Sequence, residues 1–137
     1  PGLSAWAEWS YVLPSKFFFG THTISSESGV KQGDPLGPLL FSLALQPVLD
    51  QLRQTRSEGG LRLVFSYLDD VCLAGDASAV ATAFATLKTS CEQIGLKLNT
   101  DKCELIPCAG LHNTVNRNLF PRDMVFRDDG SFEWADR

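Results

Sequence analysis

Hydrophobic and polar positions along this chain recur in stretches that each predict one element. Leu3, Trp6, Ser10 and Leu13 fall at helical spacing, and Pro14 closes that helix. Phe17, Phe18 and Phe19, then Gly20, predict a strand entering a turn, with Thr21 to Ile24 as its hairpin partner. Ser25, Ser26, Glu27, Ser28 and Gly29 read as a polar loop. A longer helix follows. Asp34 can cap it, and Pro35 suits its first position, where the missing N–H would be unsatisfied anyway. Leu36, Leu39, Leu40, Phe41, Leu43 and Leu45 point several ways round, which predicts a first half buried on most sides. Val48, Leu49 and Leu52 continue it past Pro47, where a bend is expected, and Gly59 and Gly60 end the segment.

The rhythm then changes. Leu61, Leu63, Phe65 and Tyr67 alternate with Arg62, Val64 and Ser66, which is strand periodicity. Val71 to Ala74 is a second apolar run. Only Leu68, Asp69 and Asp70 separate the two, so the pair reads as a β-hairpin. Asp76 is placed to cap an amphipathic helix whose stripe is Val80, Phe84, Leu87, Cys91 and Ile94, with Gly95 as its stop. Lys102 to Ile106 predicts a strand before Pro107. Residues 107–137 are the least patterned part. Met124 to Arg127 and Ser131 to Trp134 flank Asp128-Asp129-Gly130, a plausible turn. The order is helix, strands, helix, hairpin, helix, strand. It predicts an α+β fold with helices packed on one antiparallel sheet.

A chain of 137 residues suits one domain, 1–137. It opens at Pro1 rather than Met, which is expected of a piece of something longer. No apolar run approaches the ~20 residues of a membrane span, and no secretory leader pattern is visible. An intracellular setting without membrane contact is therefore expected, with the compartment left open. Twelve Lys and Arg face sixteen Asp and Glu, for a net charge of −4. A protein that grips nucleic acid unaided is usually basic. Any such role must lean on other regions, or on metal ions that neutralise carboxylates. Cys103, Cys108 and His112 lie close together in sequence, but their spacing fits no zinc pattern. Reduced cysteines without a metal are the simpler expectation.

Asp69-Asp70 is the unusual chemistry. Within a strand, neighbouring side chains point to opposite faces, but at a hairpin tip two carboxylates can approach one site. At ~5 Å and an effective dielectric of ~20 their repulsion is about 3 kcal/mol. A divalent cation would offset it, and hard carboxylate oxygens suit Mg²⁺. The bland alternative is a solvated acidic turn.

Three spaced motifs favour the first alternative. Gly29-Val30-Lys31-Gln32-Gly33-Asp34-Pro35-Leu36-Gly37-Pro38-Leu39-Leu40-Phe41 comes first. Tyr67-Leu68-Asp69-Asp70 follows, then Gly95-Leu96-Lys97-Leu98-Asn99 with Lys102. In order and spacing they resemble motifs B, C and D of reverse transcriptases of the non-LTR retrotransposon and group II intron type. The likeness covers most of the chain from Gly29 to Leu105.

The resemblance implies part of a polymerase palm, an antiparallel sheet carrying the YxDD hairpin and backed by helices. It implies RNA-templated DNA synthesis with an RNA template, a DNA primer and dNTPs, using two Mg²⁺ ions, with Mn²⁺ as a substitute. By resemblance Asp69 is the metal ligand of the hairpin and Asp70 supports it less directly. Tyr67 would lie near the primer end, and Gln32 and Gly33 would line the nucleotide pocket. Gly33 and Gly37 would let backbone approach a base pair. Lys102 resembles the motif D lysine that protonates leaving pyrophosphate. The family's other metal-binding Asp belongs to motif A, which this sequence lacks, along with fingers and thumb. The fragment alone is therefore expected to be inactive. The competing reading is a non-catalytic remnant or interaction module derived from a retroelement. An RNA-templated RNA polymerase fits motifs B and D less well.

Overall fold

A computed structural model describes residues 2–55, 60–108 and 115–127, in two compact units that divide between Gln46 and Pro47. The first unit opens with helix α1, Gly2–Tyr11, ended before Pro14 as expected. Strands β1 (Ser15–Phe19) and β2 (His22–Ser26) then form an antiparallel hairpin with Phe19 paired to His22. Its two-residue loop, Gly20-Thr21, has φ +59° at Gly20, the positive first position of a type II′ turn. Ser25 and Ser26, expected in a loop, extend β2 because they pair with Lys16 and Ser15.

Little of this first unit's apolar surface is covered. Helix α1 buries no residue, and Trp9, Phe18 and Phe19 are 76%, 77% and 78% exposed. An apolar surface of this kind attracts other apolar molecules. The 137-residue chain is therefore expected to bind ANS strongly and to self-associate in sedimentation. The double variant Trp9→Gln/Phe18→Glu should lose much of the ANS emission with its far-UV circular dichroism unchanged. A monodisperse chain that leaves ANS dark would count against this surface.

Helix α2, Gly37–Gln54, runs without a break through Pro47. Proline removes one N–H, so the carbonyl of Leu43 loses its partner four residues on. Leu43 itself is an exposed residue. The burial of this helix meets the sequence expectation only in part, with Leu36, Leu40 and Phe41 half-buried. Leu45, Val48, Leu49 and Leu52 are buried, whereas Leu39 and Leu43 are not. At 100° per residue, Leu39 and Leu43 lie on the face opposite that stripe. A run rich in leucine does not reveal which of its faces finds a partner.

The second unit packs helix α3, Ala77–Gln93, against strands β3 (Leu61–Tyr67) and β4 (Asp70–Gly75). Its core holds Val48, Leu49, Leu52, Leu61, Val64, Ala83, Phe84, Leu87 and Cys91. The hydroxyl of buried Ser90 donates to Gln51 Oε1 at 3.2 Å, tying α3 to the second half of α2. Asp76 is the N-cap of α3 by backbone position, its carbonyl accepting from Val80, but its side chain makes no capping bond. The helix ends in a Schellman motif. Leu96 N–H donates to the Cys91 carbonyl and Gly95 N–H to that of Glu92. Ile94, expected in the buried stripe, is the C-cap and is exposed.

Beyond α3 come a short 3-10 helix, Thr100–Lys102, then β5 (Glu104–Leu105), a second 3-10 helix (Arg117–Leu119) and β6 (Val125–Phe126). Lys102, expected to open the β5 strand, sits in the first 3-10 helix. Strand β6 pairs with β5 in parallel, through Val125 N–H to the Cys103 carbonyl and Arg127 N–H to that of Leu105. A two-contact ion pair between Arg127 and Glu104 and the Arg117 guanidinium over the Phe126 ring, at 3.4 Å, reinforce it. The described residues thus hold mixed helices with three two-stranded sheets, two antiparallel and one parallel, rather than one sheet. The expected turn at residues 128–130 and its partner run at 131–134 lie outside the described residues, as does His112. No helix among the described residues is long and apolar enough to cross a membrane.

Candidate functional site

The β3–β4 hairpin carries three of the residues singled out in the sequence. Tyr67 pairs with Asp70, so the loop is two residues long, Leu68-Asp69, one shorter than the sequence suggested. A register shift between Leu61 and Leu63 alters the strand's alternation. After it Val64 is buried, while Leu63, Phe65 and Tyr67 face out. Cross-strand partners share a face, so Tyr67, Asp70, Phe65 and Cys72 lie on that exposed side.

Leu68 occupies the loop position that Gly20 takes in the first hairpin, with φ +52°. It is the sole described non-glycine residue with positive φ, a costly conformation for a branched side chain. The Ser66 hydroxyl donates to the Leu68 carbonyl at 3.2 Å and braces the loop. Strained backbone of this sort persists where the surroundings over-determine it, and it concentrates at functional sites. Among the described residues, no side chain forms a hydrogen bond or ion pair with the carboxylates of Asp69 and Asp70. The donor set therefore suits a hard cation, with two carboxylates on one tip and room for the waters that Mg²⁺ retains. No cluster of three or more metal-binding side chains occurs among the described residues. That includes Cys103 and Cys108.

Gln32 and Gly33 form the tip of a different turn. Asp34 N–H donates to the Lys31 carbonyl at 3.2 Å, and Gly33 has φ +83°, the third position of a type II turn. A Cβ on Gly33 would meet nothing within 4 Å, so it is the backbone angle that calls for glycine. Gly37 differs. It is buried, and a Cβ there would sit 3.3 Å from the Lys31 carbonyl oxygen.

Asp34 is not the N-cap of α2. Its carbonyl accepts from Gly37 and its Oδ1 from Leu36 N–H at 2.9 Å, which closes a second turn with Pro35 inside it. The first helical carbonyl is that of Leu36, bonded to Leu40. Asp34 Oδ2 is taken by the Tyr11 hydroxyl at 2.6 Å. That bond, then the Leu36 N–H, hold the Asp34 carboxyl below the usual carboxylate range. The same bond raises the Tyr11 phenol above the usual tyrosine value.

Lys102 is exposed at the end of the 3-10 helix, its N–H on the Asn99 carbonyl at 3.1 Å. The Thr100 hydroxyl donates to Asp123, so the chain beyond residue 107 pins this turn. That bond is the main reason the Asp123 carboxyl lies below the ordinary range.

One hairpin thus assembles Tyr67, Asp69 and Asp70. Gln32 and Gly33 belong to the first unit, and Lys102 to a separate turn of the second. The sequence reading missed Tyr11, Lys31 and Asp123 as supports. A tyrosine closing a predicted helix just before Pro14 was the available signal for the first.

Residues 4–115 match the family model described as reverse transcriptase (RNA-dependent DNA polymerase). The chain is 37% identical over 89 residues to the retrotransposable element SLACS 132 kDa protein of Trypanosoma brucei gambiense, covering 65% of this chain and 7% of that protein. It is 30% identical over 123 residues to a retrovirus-related Pol polyprotein from type-1 retrotransposable element R2 of Popillia japonica, covering 82% and 19%. Over 90 residues it is 36% identical to the Pol polyprotein from type-2 retrotransposable element R2DM of Drosophila melanogaster, covering 60% and 8%. The chain spans at most 19% of these relatives' length. No solved structure matches it.

Proposed function

Because the chain belongs to the reverse transcriptase family, of the non-LTR retrotransposon type, we propose that it supplies part of the palm of an RNA-templated DNA polymerase. The reaction is nucleotidyl transfer from a dNTP to a primer 3′-hydroxyl on an RNA template. The observation that carries this reading is the tip of the β3–β4 hairpin, where Asp69 in a strained, braced loop and Asp70 at the start of β4 have no side-chain partner among the described residues.

Asp69, at the loop, holds a divalent cation. Asp70 lies on the exposed sheet face beside Tyr67 and keeps the local charge negative. Tyr67 offers its ring to the primer terminus from that same face. Gln32, at the second position of its turn, contacts the incoming nucleotide, and Gly33 allows the turn that presents it. Lys102 donates a proton to the leaving pyrophosphate. Two Mg²⁺ ions, or Mn²⁺ in their place, would supply Lewis acidity at the primer hydroxyl and the triphosphate. A second carboxylate-bearing strand, motif A, completes that set in the full-length protein.

Primer extension tests the proposal. A full-length protein carrying this chain should extend a DNA primer on an RNA template, with Mg²⁺ and dNTPs required. The 137-residue chain should give no extension. Robust synthesis by the isolated chain would overturn the need for motif A. A full-length protein that extends nothing under any divalent cation would overturn the polymerase assignment.

A further inference from the structure

Three contacts converge on Tyr11, and a fourth steadies the lysine that makes two of them. Its hydroxyl donates to Asp34 Oδ2 at 2.6 Å and accepts from Lys31 N–H at 3.2 Å. The Lys31 ammonium lies over the Tyr11 ring, 4.9 Å from its centre, and donates to the Ser10 carbonyl at 2.7 Å. Lys31 and Asp34 are the first and last residues of the turn whose tip is Gln32-Gly33. One phenol therefore holds both ends of a four-residue turn, and the end of α1 anchors that phenol. The residues at the tip are exposed and make no such contacts of their own.

We propose that Tyr11 is a positioning residue for nucleotide binding, fixing the Gln32-Gly33 turn through Asp34 and Lys31. The inference rests on the polymerase reading for what the turn binds. It rests on the contacts alone for what holds the turn. A short turn with one glycine has several conformations of similar energy. Tying both ends to one rigid ring selects among them before substrate arrives. Ordering cost that the substrate would otherwise meet on binding is removed in advance.

The charges make the clasp pH-sensitive in a defined way. The Asp34 carboxyl is held low, so the bond is intact above the usual carboxylate range and is lost as pH falls through the lowered value. The Tyr11 phenol is raised, so the bond persists through the ordinary tyrosine range and is lost as pH rises through the raised value. Among the described residues, the other charged group facing this pair is the Lys31 ammonium over the Tyr11 ring.

Two measurements test the proposal. In the 137-residue chain, absorbance at 295 nm should contain a phenol step above the ordinary tyrosine range. Tyr11→Phe should remove that step, and Asp34→Asn should move it down. A phenol profile unaltered by Asp34→Asn would overturn the clasp. In the full-length protein, Tyr11→Phe should raise the KM for dNTP by roughly tenfold, with kcat changed by less than about threefold. In a Gln32→Ala background the same substitution should add nothing to KM, because it acts through that turn. A fall in kcat with unchanged KM, or effects that multiply in the double variant, would overturn the positioning role. A full-length protein with no templated extension would overturn the polymerase reading and with it the nucleotide role. The phenol titration would still decide the clasp.

Discussion

Asp69→Asn in the full-length protein is expected to lower templated primer extension by about a thousandfold or more, because a metal-bound carboxylate has no neutral substitute. The amide keeps the size of the side chain and removes its charge. Asp69 sits in a two-residue loop rather than in the core, so circular dichroism and the melting midpoint should stay near those of the parent. Relief of carboxylate repulsion could even raise the midpoint slightly. Asp70→Asn should cost less, on the order of ten- to a hundredfold, because the proposed role of Asp70 is to support the cation less directly. Single-turnover extension at saturating dNTP is the measurement, with Mn²⁺ in a parallel series. Activity within threefold of the parent for Asp69→Asn would remove this residue from the site.

Leu52→Ala should produce the largest loss of stability from one change in the second unit. Leu52 is the one large side chain among the described residues with 0% exposure. Removing such a side chain leaves a cavity and costs about 2–5 kcal/mol. A small domain has only about 5–15 kcal/mol in all. Urea unfolding should therefore shift strongly to lower concentration. Leu43→Ala is the matched control. That residue is 60% exposed in the same helix, so its substitution should stay within about 0.5 kcal/mol. Equal shifts for the two variants would contradict the buried stripe and favour the leucine-rich first half as the core.

Those two leucines mark where the sequence was readable and where it was not. The pattern of α3 is local, and its spacing, its glycine stop and most of its stripe follow from residues within a few turns. The β3–β4 hairpin was readable for the same reason, with two apolar runs flanking a short polar loop. The face that β3 buries was not, because one register shift near Arg62 exchanges the faces of the strand. Leu39 and Leu43 misled because composition does not say which side of a helix is covered. Asp34 beside Pro35 looked like a helix cap. The competing claim on its carboxylate comes from Tyr11, 23 positions earlier. The pairing of β5 with β6 likewise joins residues about twenty apart with no repeating pattern between them. The hairpin position of Asp69 and Asp70 was legible because motif, loop and carboxylates lie within four consecutive residues.

Cys72 gives the hairpin a built-in attachment point. It is an exposed free thiol on β4, two positions along from Asp70 and on the same face. Residues so related lie about 7 Å apart along a strand. Burial pushes the thiol of Cys91 up, and burial together with the charge of Asp123 does the same at Cys103, so both are poor nucleophiles at neutral pH. Only Cys108 is comparably exposed among the four cysteines. With serine at that position, a nitroxide reagent would mark Cys72 almost alone. A paramagnetic Mn²⁺ ion held by the adjacent carboxylates would then broaden the spin label's lines at once, so that metal occupancy could be followed in solution without nucleotide, primer or turnover.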